Sequence, residues 1–153
     1  LAMFLPLARL THLLSDEGLV ALRFSKRQCQ RCKSLRKWEE RNDGKAFQSL
    51  SEDQRLQLHQ DLEADLPALI LKLPAVDQSI WLKRWRNLQD PLFHPSSPLD
   101  GKTLQQSLEL PAGLELGRLI RYLCHERAFG RLLNREDALR AARYWWQRNH
   151  TLL

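Results

Sequence analysis

The sequence predicts an all-α fold, an irregular array of about six to eight helices that forms one domain or two small lobes. Residues of high β propensity are scarce, with only two valines among 153 residues, and no segment alternates apolar and polar side chains as a strand does. Ser-x-x-Gln capping boxes occur twice, and apolar residues recur at helical spacing in the C-terminal third. The hydrophobic content of 43% is enough for a core that needs no disulfides.

Start and stop signals divide the first part of the chain into helices, beginning with an apolar N-terminal segment that predicts a core helix. Capping boxes at Ser25 and Ser51 begin two further helices, because each serine oxygen and the glutamine three residues later satisfy amides of the first turn. The first of these ends at about Arg41, before an Asn-Asp-Gly turn, and the second ends before Pro67. Two more helices are predicted over residues 68–73 and 77–88.

A proline-rich segment, residues 90–99, predicts the boundary between two lobes, because three of the seven prolines lie there. The predicted lobes are residues 1–89 and 90–153. Beyond the boundary, short and long helices over 102–108 and 115–129 form a helix-turn-helix hairpin around 102–129, which Gly130 ends. Asn134 then caps a last helix, predicted over 135–148.

The chain has a net charge of +6, and its positive charge is concentrated in two segments. The segment from Arg23 to Lys45 has nine Lys or Arg and three acids, and the segment from Arg118 to Arg148 has eight Arg and three acids. The second block has no Lys, and planar guanidinium groups suit the recognition of phosphate. This segregation favours an anionic partner.

Helical periodicity turns part of this charge outward, where it forms candidate RNA-contacting faces. In the Ser25 helix, lysines align at i, i+7 and i+11; in the two last helices, Arg and His lie opposite the apolar stripes that include Leu119 and Trp145. The alternative for each face is an ordinary solvated surface. The predicted RNA-binding residues are Lys26, Lys33, Lys37, Arg118, Arg121, His125, Arg140 and Arg143.

No catalytic or metal-binding residue is predicted in this chain. Cys29 and Cys32 have the CxxC spacing of a zinc knuckle, and Cys124 with His125 could add ligands, but placement on helices explains these cysteines better. The five histidines lie in separate segments without a partner nucleophile. The sparse, odd set of cysteines predicts a reducing, cytoplasmic location, and no run approaches the roughly 18 apolar residues of a membrane span.

Several motifs resemble the body and tail of bacterial, in particular cyanobacterial, tRNA nucleotidyltransferases, the family of CCA-adding enzymes and poly(A) polymerases. Looser similarity begins at Leu22-Arg-Phe-Ser-Lys. The motifs that carry the resemblance are Asp90-Pro-Leu-Phe-His-Pro, Leu99-Asp-Gly-Lys-Thr-Leu, Leu110-Pro-Ala-Gly-Leu-Glu-Leu-Gly-Arg-Leu-Ile, Gly130 and Asn134-Arg-Glu-Asp-Ala-Leu.

The resemblance implies that residues 1–89 are body-like and residues 90–153 tail-like, and that both hold tRNA. Catalysis, with Mg²⁺ and CTP or ATP, would belong to a head domain that this sequence lacks, so this chain alone needs no cofactor and is not an enzyme. Its partners would be tRNA and its own N-terminal head and neck; no membrane is implied, and homodimerisation stays open. Glu109, Ala112 and Leu114 depart from the glycine and prolines that the family often has.

Two other functions compete with tRNA binding. The chain could be a stand-alone helical adaptor that binds protein, its basic faces merely solvated, or an enzyme whose site is built from the scattered histidines. Glu136-Asp-Ala-Leu-Arg140 fits the pattern with which the family's neck recognises a nucleobase. Because the motif lies near the C-terminus, we interpret Glu136 and Asp137 instead as acids that stabilise the first turn of the last helix.

Overall fold

Several of the helices begin where a capping side chain accepts a hydrogen bond from an amide of the first turn. The computed structural model describes residues 4–41 and 47–150; this part of the chain is all-α without strands, which confirms the predicted fold class. Short 3₁₀ helices span Phe47–Ser49 and Glu63–Asp65. The α-helices are α1 (Leu5–Leu13), α2 (Asp16–Ala21), α3 (Lys26–Arg41), α4 (Glu52–Leu62), α5 (Leu66–Ile70), α6 (Ala75–Arg86), α7 (Gly101–Leu108), α8 (Leu114–Ala128) and α9 (Arg135–His150).

Three of the predicted caps are formed by the expected side chains. Ser25 accepts from the amide of Gln28 at 3.2 Å, and Ser51 forms a complete capping box with Gln54. Asn134 accepts from the amide of Asp137 at 2.8 Å. One element, α2, was not predicted; Ser15 caps it by accepting from the amide of Gly18 at 3.1 Å.

The described residues divide into two compact units, one ending at His94 and the other beginning at Pro95. The boundary lies later than the predicted one between residues 89 and 90 because Asp90 binds back to α6. Its carboxylate accepts two hydrogen bonds from Arg84, at 2.8 and 3.0 Å, and also accepts from the amides of Leu92 and Phe93. These bonds attach the segment 90–94 to the first unit.

In the first unit, α3 lies at the centre and contacts α1, α2, α4 and α5. Its side chains Cys32, Leu35 and Trp38 are fully buried. The short helix α5 is buried at every residue and also contacts α6. This unit therefore buries one face of α3 and leaves its opposite face to solvent.

The core of the second unit is formed by the predicted apolar stripes of α8 and α9. Leu119 and Leu123 of α8 and Ala138 and Ala142 of α9 are fully buried, and Trp145 packs partly buried against them. The opposite faces of both helices are left to polar residues. None of the described helices is both long and apolar enough to cross a bilayer.

The turn after α8 depends on Gly130, which has a φ of 74°. Its amide donates to Arg127 O at 3.1 Å, and the amide of Arg131 donates to Glu126 O at 2.9 Å. These two bonds form the helix-ending motif that favours glycine at its left-handed position. The turn places Arg131 beside the last turn of α8.

Candidate nucleic-acid interface

The outward face of α3 carries a line of exposed cations. Lys26, Lys33 and Lys37 are exposed, while the opposite side of the helix is buried against its neighbours. Lys26 and Lys33 make no ion pair with any described residue. The structure thus places all three predicted lysines on one solvated face.

Acids from neighbouring elements offset much of the repulsion within α3. Asp65 accepts two hydrogen bonds from Arg31, at 2.8 and 2.6 Å, and Asp16 of α2 pairs with Arg36. A bidentate guanidinium–carboxylate pair is the stronger kind of ion pair. The stability that like charges lose at helical spacing is therefore partly recovered through tertiary contacts.

Asp61 of α4 joins a lysine of the candidate face to the core. It accepts from Lys37 Nζ at 3.1 Å, from Trp38 Nε1 at 3.0 Å and from Gln57 Nε2 at 2.6 Å. Burial opposes the charged form, yet these hydrogen bonds hold the pKa of Asp61 below its ordinary value. Lys37 is thus already neutralised in part, unlike Lys33.

A groove of about 590 Å³ follows the solvated side of α3, and we call it the α3 groove. It is the most cationic of the pockets described for this chain, with more basic than acidic side chains in its lining. Its charged lining residues are Lys33, Arg36, Lys37 and Arg41, with Asp16 and Glu40. A groove with this balance attracts anions.

The predicted residues of α8 differ from one another in exposure and in ion pairing. Arg118 is exposed but pairs with Glu115, three residues earlier, at 2.6 Å. Arg121 is exposed and makes no ion pair with any described residue. His125 differs as well: its side chain is only 21% exposed, and its Nδ1 lies 3.1 Å from Arg131 Nη2.

On α9 the two predicted arginines are in different environments. Arg140 pairs with Asp137 of the same helix at 2.6 Å, whereas Arg143 makes no ion pair with any described residue. Arg143 lines a small pocket of about 330 Å³ together with Trp146 and Gln147. Of the four predicted arginines, Arg121 and Arg143 are therefore the two that have no acid partner among the described residues.

Sequence reasoning missed a second groove of this unit, which lies between the C-terminal part of α8 and the first turns of α9. This tyrosine groove, of about 510 Å³, is lined by Tyr122, Tyr144, Arg131 and Arg140 among others. Tyr144 is 62% exposed. The pairing of Tyr122 with Tyr144 could have been found only by placing both helices side by side, since the residues are 22 positions apart.

Sequence reasoning also missed the environment of His59, which is fully buried in the first unit. Its ring lies 4.3 Å from that of Phe93 and 5.6 Å from that of Trp81, and neither nitrogen has a hydrogen-bond partner among the described residues. Burial, and then the cations Arg55 and Arg84, lower the pKa of His59 to about 3. This histidine is uncharged in the folded protein at neutral pH.

In the described part of the chain, no three His, Cys, Asp or Glu side chains come together as a group that could hold a metal ion. Cys29 and Cys32 lie on α3, where Cys32 is fully buried and burial raises the pKa of its thiol. Cys29 lies 3.8 Å from Phe24 O.

No protein-family model, curated protein or solved structure matches the chain. The resemblance to tRNA nucleotidyltransferases consequently stays a prediction from the sequence motifs.

Proposed function

We propose that the chain is the RNA-binding, C-terminal module of a tRNA nucleotidyltransferase or poly(A) polymerase. It positions tRNA for nucleotide addition by a catalytic head that would supply Mg²⁺ and bind CTP or ATP. The motifs that resemble the body and tail of that family suggest this role. The free thiols of the chain fit the reducing cytoplasm, where such an enzyme works.

The observation that carries the proposal is the charge of the α3 groove, which has four cations against two acids. Lys33 is exposed in this groove without an acid partner among the described residues. A phosphate backbone that follows the groove would meet Lys33 and then Lys37 or Arg41 at successive turns of one helix. Contacts of this kind position RNA without reading its sequence.

Arg121 and Arg143 extend the same function to the second unit. Both are exposed without an acid partner among the described residues, whereas Arg118 and Arg140 are already paired within their own helices. The unpaired arginines therefore contribute more to RNA affinity than the paired ones. The expected ranking of the four arginines by their contribution to RNA affinity therefore follows from which of them have ion pairs.

Measurement of tRNA affinity across a range of salt concentrations tests the proposal. Lys26→Gln and Lys33→Gln each remove a cation that has no acid partner among the described residues. If that lysine contacts a phosphate, the slope of log affinity against log salt falls by about 0.7 to 0.9 per substitution. Lys83→Gln is the matched control, because Lys83 is an exposed lysine of α6 and not of the candidate face of α3, so its replacement should leave the slope unchanged.

The competing function is a helical adaptor for protein, whose basic faces would be solvated and partly paired, as Arg118 and Arg140 are with acids of their own helices. The salt titration separates the two functions. If the wild-type chain does not bind tRNA at low salt, or if Lys26→Gln and Lys33→Gln behave like Lys83→Gln, the proposal is wrong and the adaptor is favoured.

A further inference from the structure

We propose that the tyrosine groove holds an unpaired base of the bound RNA, stacked on the ring of Tyr144. This inference rests on the proposed function, because it assigns a place to one part of the RNA that the module binds. It adds a contact of a different kind, since stacking on a base differs from the attraction between cations and phosphates.

The aromatic residues of the groove suit a flat ligand. Tyr144 is 62% exposed, so most of its side chain is accessible to a ligand. Tyr122, half-buried beside it, stacks on Trp145 with 6.2 Å between ring centroids and 27° between planes. Tyr122 is thus held by packing, while Tyr144 leaves most of its surface available to a base.

The charges of the groove favour a base over a phosphate. Arg131 pairs with Glu126 at 2.9 Å, and Arg140 pairs with Asp137 at 2.6 Å, so the two cations and two acids of the lining cancel. A neutral groove does not concentrate phosphates as the α3 groove does. Its guanidinium and carboxylate groups instead offer donors and acceptors to the polar edges of a base.

The groove is large enough for a nucleotide and has a defined wall. It is a shallow groove, open to solvent, with a volume of about 510 Å³. On one side the Gly130 turn orients Arg131, whose amide donates to Glu126 O at 2.9 Å. Because the same two residues also form the ion pair, Arg131 is held in place before a ligand arrives.

The test compares a short unpaired RNA oligonucleotide with a fully paired RNA duplex, both titrated into the full chain at constant salt. Tyr144→Ala removes the stacking surface and should weaken binding of the oligonucleotide by about five- to 150-fold. It should change neither the affinity for the duplex nor the salt slope, because a stacked base releases no counterions. Tyr144→Phe keeps the ring and should behave like the wild type.

Leu114→Ala is the matched control, because Leu114 is a large side chain of the same unit, 74% exposed and outside the groove. Thermal melting checks that each variant is folded. As a second readout, an oligonucleotide with photoreactive uridines should crosslink to the segments around Tyr122 and Tyr144.

The failures of the two proposals are distinguishable. If the wild type binds RNA and Lys33→Gln weakens it while Tyr144→Ala leaves oligonucleotide binding unchanged, the base site is wrong, the proposed function stands, and a protein side chain becomes the favoured occupant. If the wild type binds neither RNA, both proposals are overturned.

Discussion

Replacement of His59 by leucine should remove a specific part of the acid sensitivity of the protein. His59 is fully buried between Trp81 and Phe93, and neither of its ring nitrogens has a partner among the described residues. Protonation would place a charge in this environment, close to two cations. The titratable and charged groups that act on the ring are Arg55 of α4, Arg84 of α6, and Asp90 and His94 of the following segment.

The pH range in which His59 affects stability is set by its pKa in the unfolded chain and its pKa in the folded protein. In the unfolded chain the histidine has an ordinary pKa of about 6.5, whereas in the folded protein the pKa of His59 is about 3. Above pH 6.5 both states are neutral and His59 contributes no pH dependence. As the pH falls below 6.5, only the unfolded state takes up the proton, so stability is lost until the pH reaches the folded pKa.

The size of the loss follows from proton linkage. Each pH unit inside this range lowers the free energy of unfolding by up to about 1.4 kcal/mol. The total loss from neutral pH to pH 5 is about 2 kcal/mol. His59→Leu should remove this loss. At pH 7 the variant should be at least as stable as the wild type, because a buried polar atom without a partner costs about 1 to 3 kcal/mol.

Urea unfolding of the wild type and of His59→Leu, measured from pH 7.5 to pH 4, gives the difference curve. That difference isolates His59 from the carboxylates, which are common to both proteins. His12→Leu is the matched control, since His12 is an exposed histidine of α1, and it should follow the wild type. Parallel curves for the wild type and His59→Leu between pH 6.5 and pH 5 would refute the reasoning.

Further predictions concern the stability of the second unit and the absence of nucleotide addition by this chain alone. Leu119→Ala should lower the free energy of unfolding by about 2 to 5 kcal/mol because Leu119 is fully buried, while Leu114→Ala changes it little, as urea titrations would show. Gly117→Ala, with open space around the added methyl group, should stabilise α8 by about 0.5 to 1 kcal/mol. Gly130→Ala, at a φ of +74°, should instead cost about 1 to 2 kcal/mol; thermal melting of the two variants gives opposite shifts. Pure chain with tRNA, Mg²⁺ and labelled CTP or ATP should incorporate no nucleotide, and heat-sensitive incorporation would contradict its role as a binding module.

Most helix positions could be predicted because they depend on nearest neighbours along the chain. The capping residues Ser25, Ser51 and Asn134 each act within three residues of their own position. The same reasoning missed α2, although Ser15 and two acids after it form a start signal. It also extended α4 too far, since the helix ends at Leu62 and the chain continues as a 3₁₀ turn.

The exposure of the candidate RNA-binding residues other than His125 could be predicted from periodicity, but their ion pairs could be predicted only in part. Glu115 and Asp137 lie three residues before Arg118 and Arg140, a spacing at which helical side chains meet, so these two pairs could have been anticipated. The partners of Arg36 and Lys37 are 20 and 24 residues away in the sequence. No periodicity connects residues on different helices.

The sequence by itself determined where most of the helices lie, which of their faces are apolar and which segments are basic, because capping and the helical repeat are local properties of the backbone. Only the tertiary structure decided which cations of α3 have acid partners on other helices. The docking of α2 and α4 against α3 brings Asp16 and Asp61 to Arg36 and Lys37, while Lys33 in the α3 groove has no acid partner in the described part of the chain. The packing of α8 against α9 likewise forms the tyrosine groove, since contacts between distant segments depend on how whole helices pack.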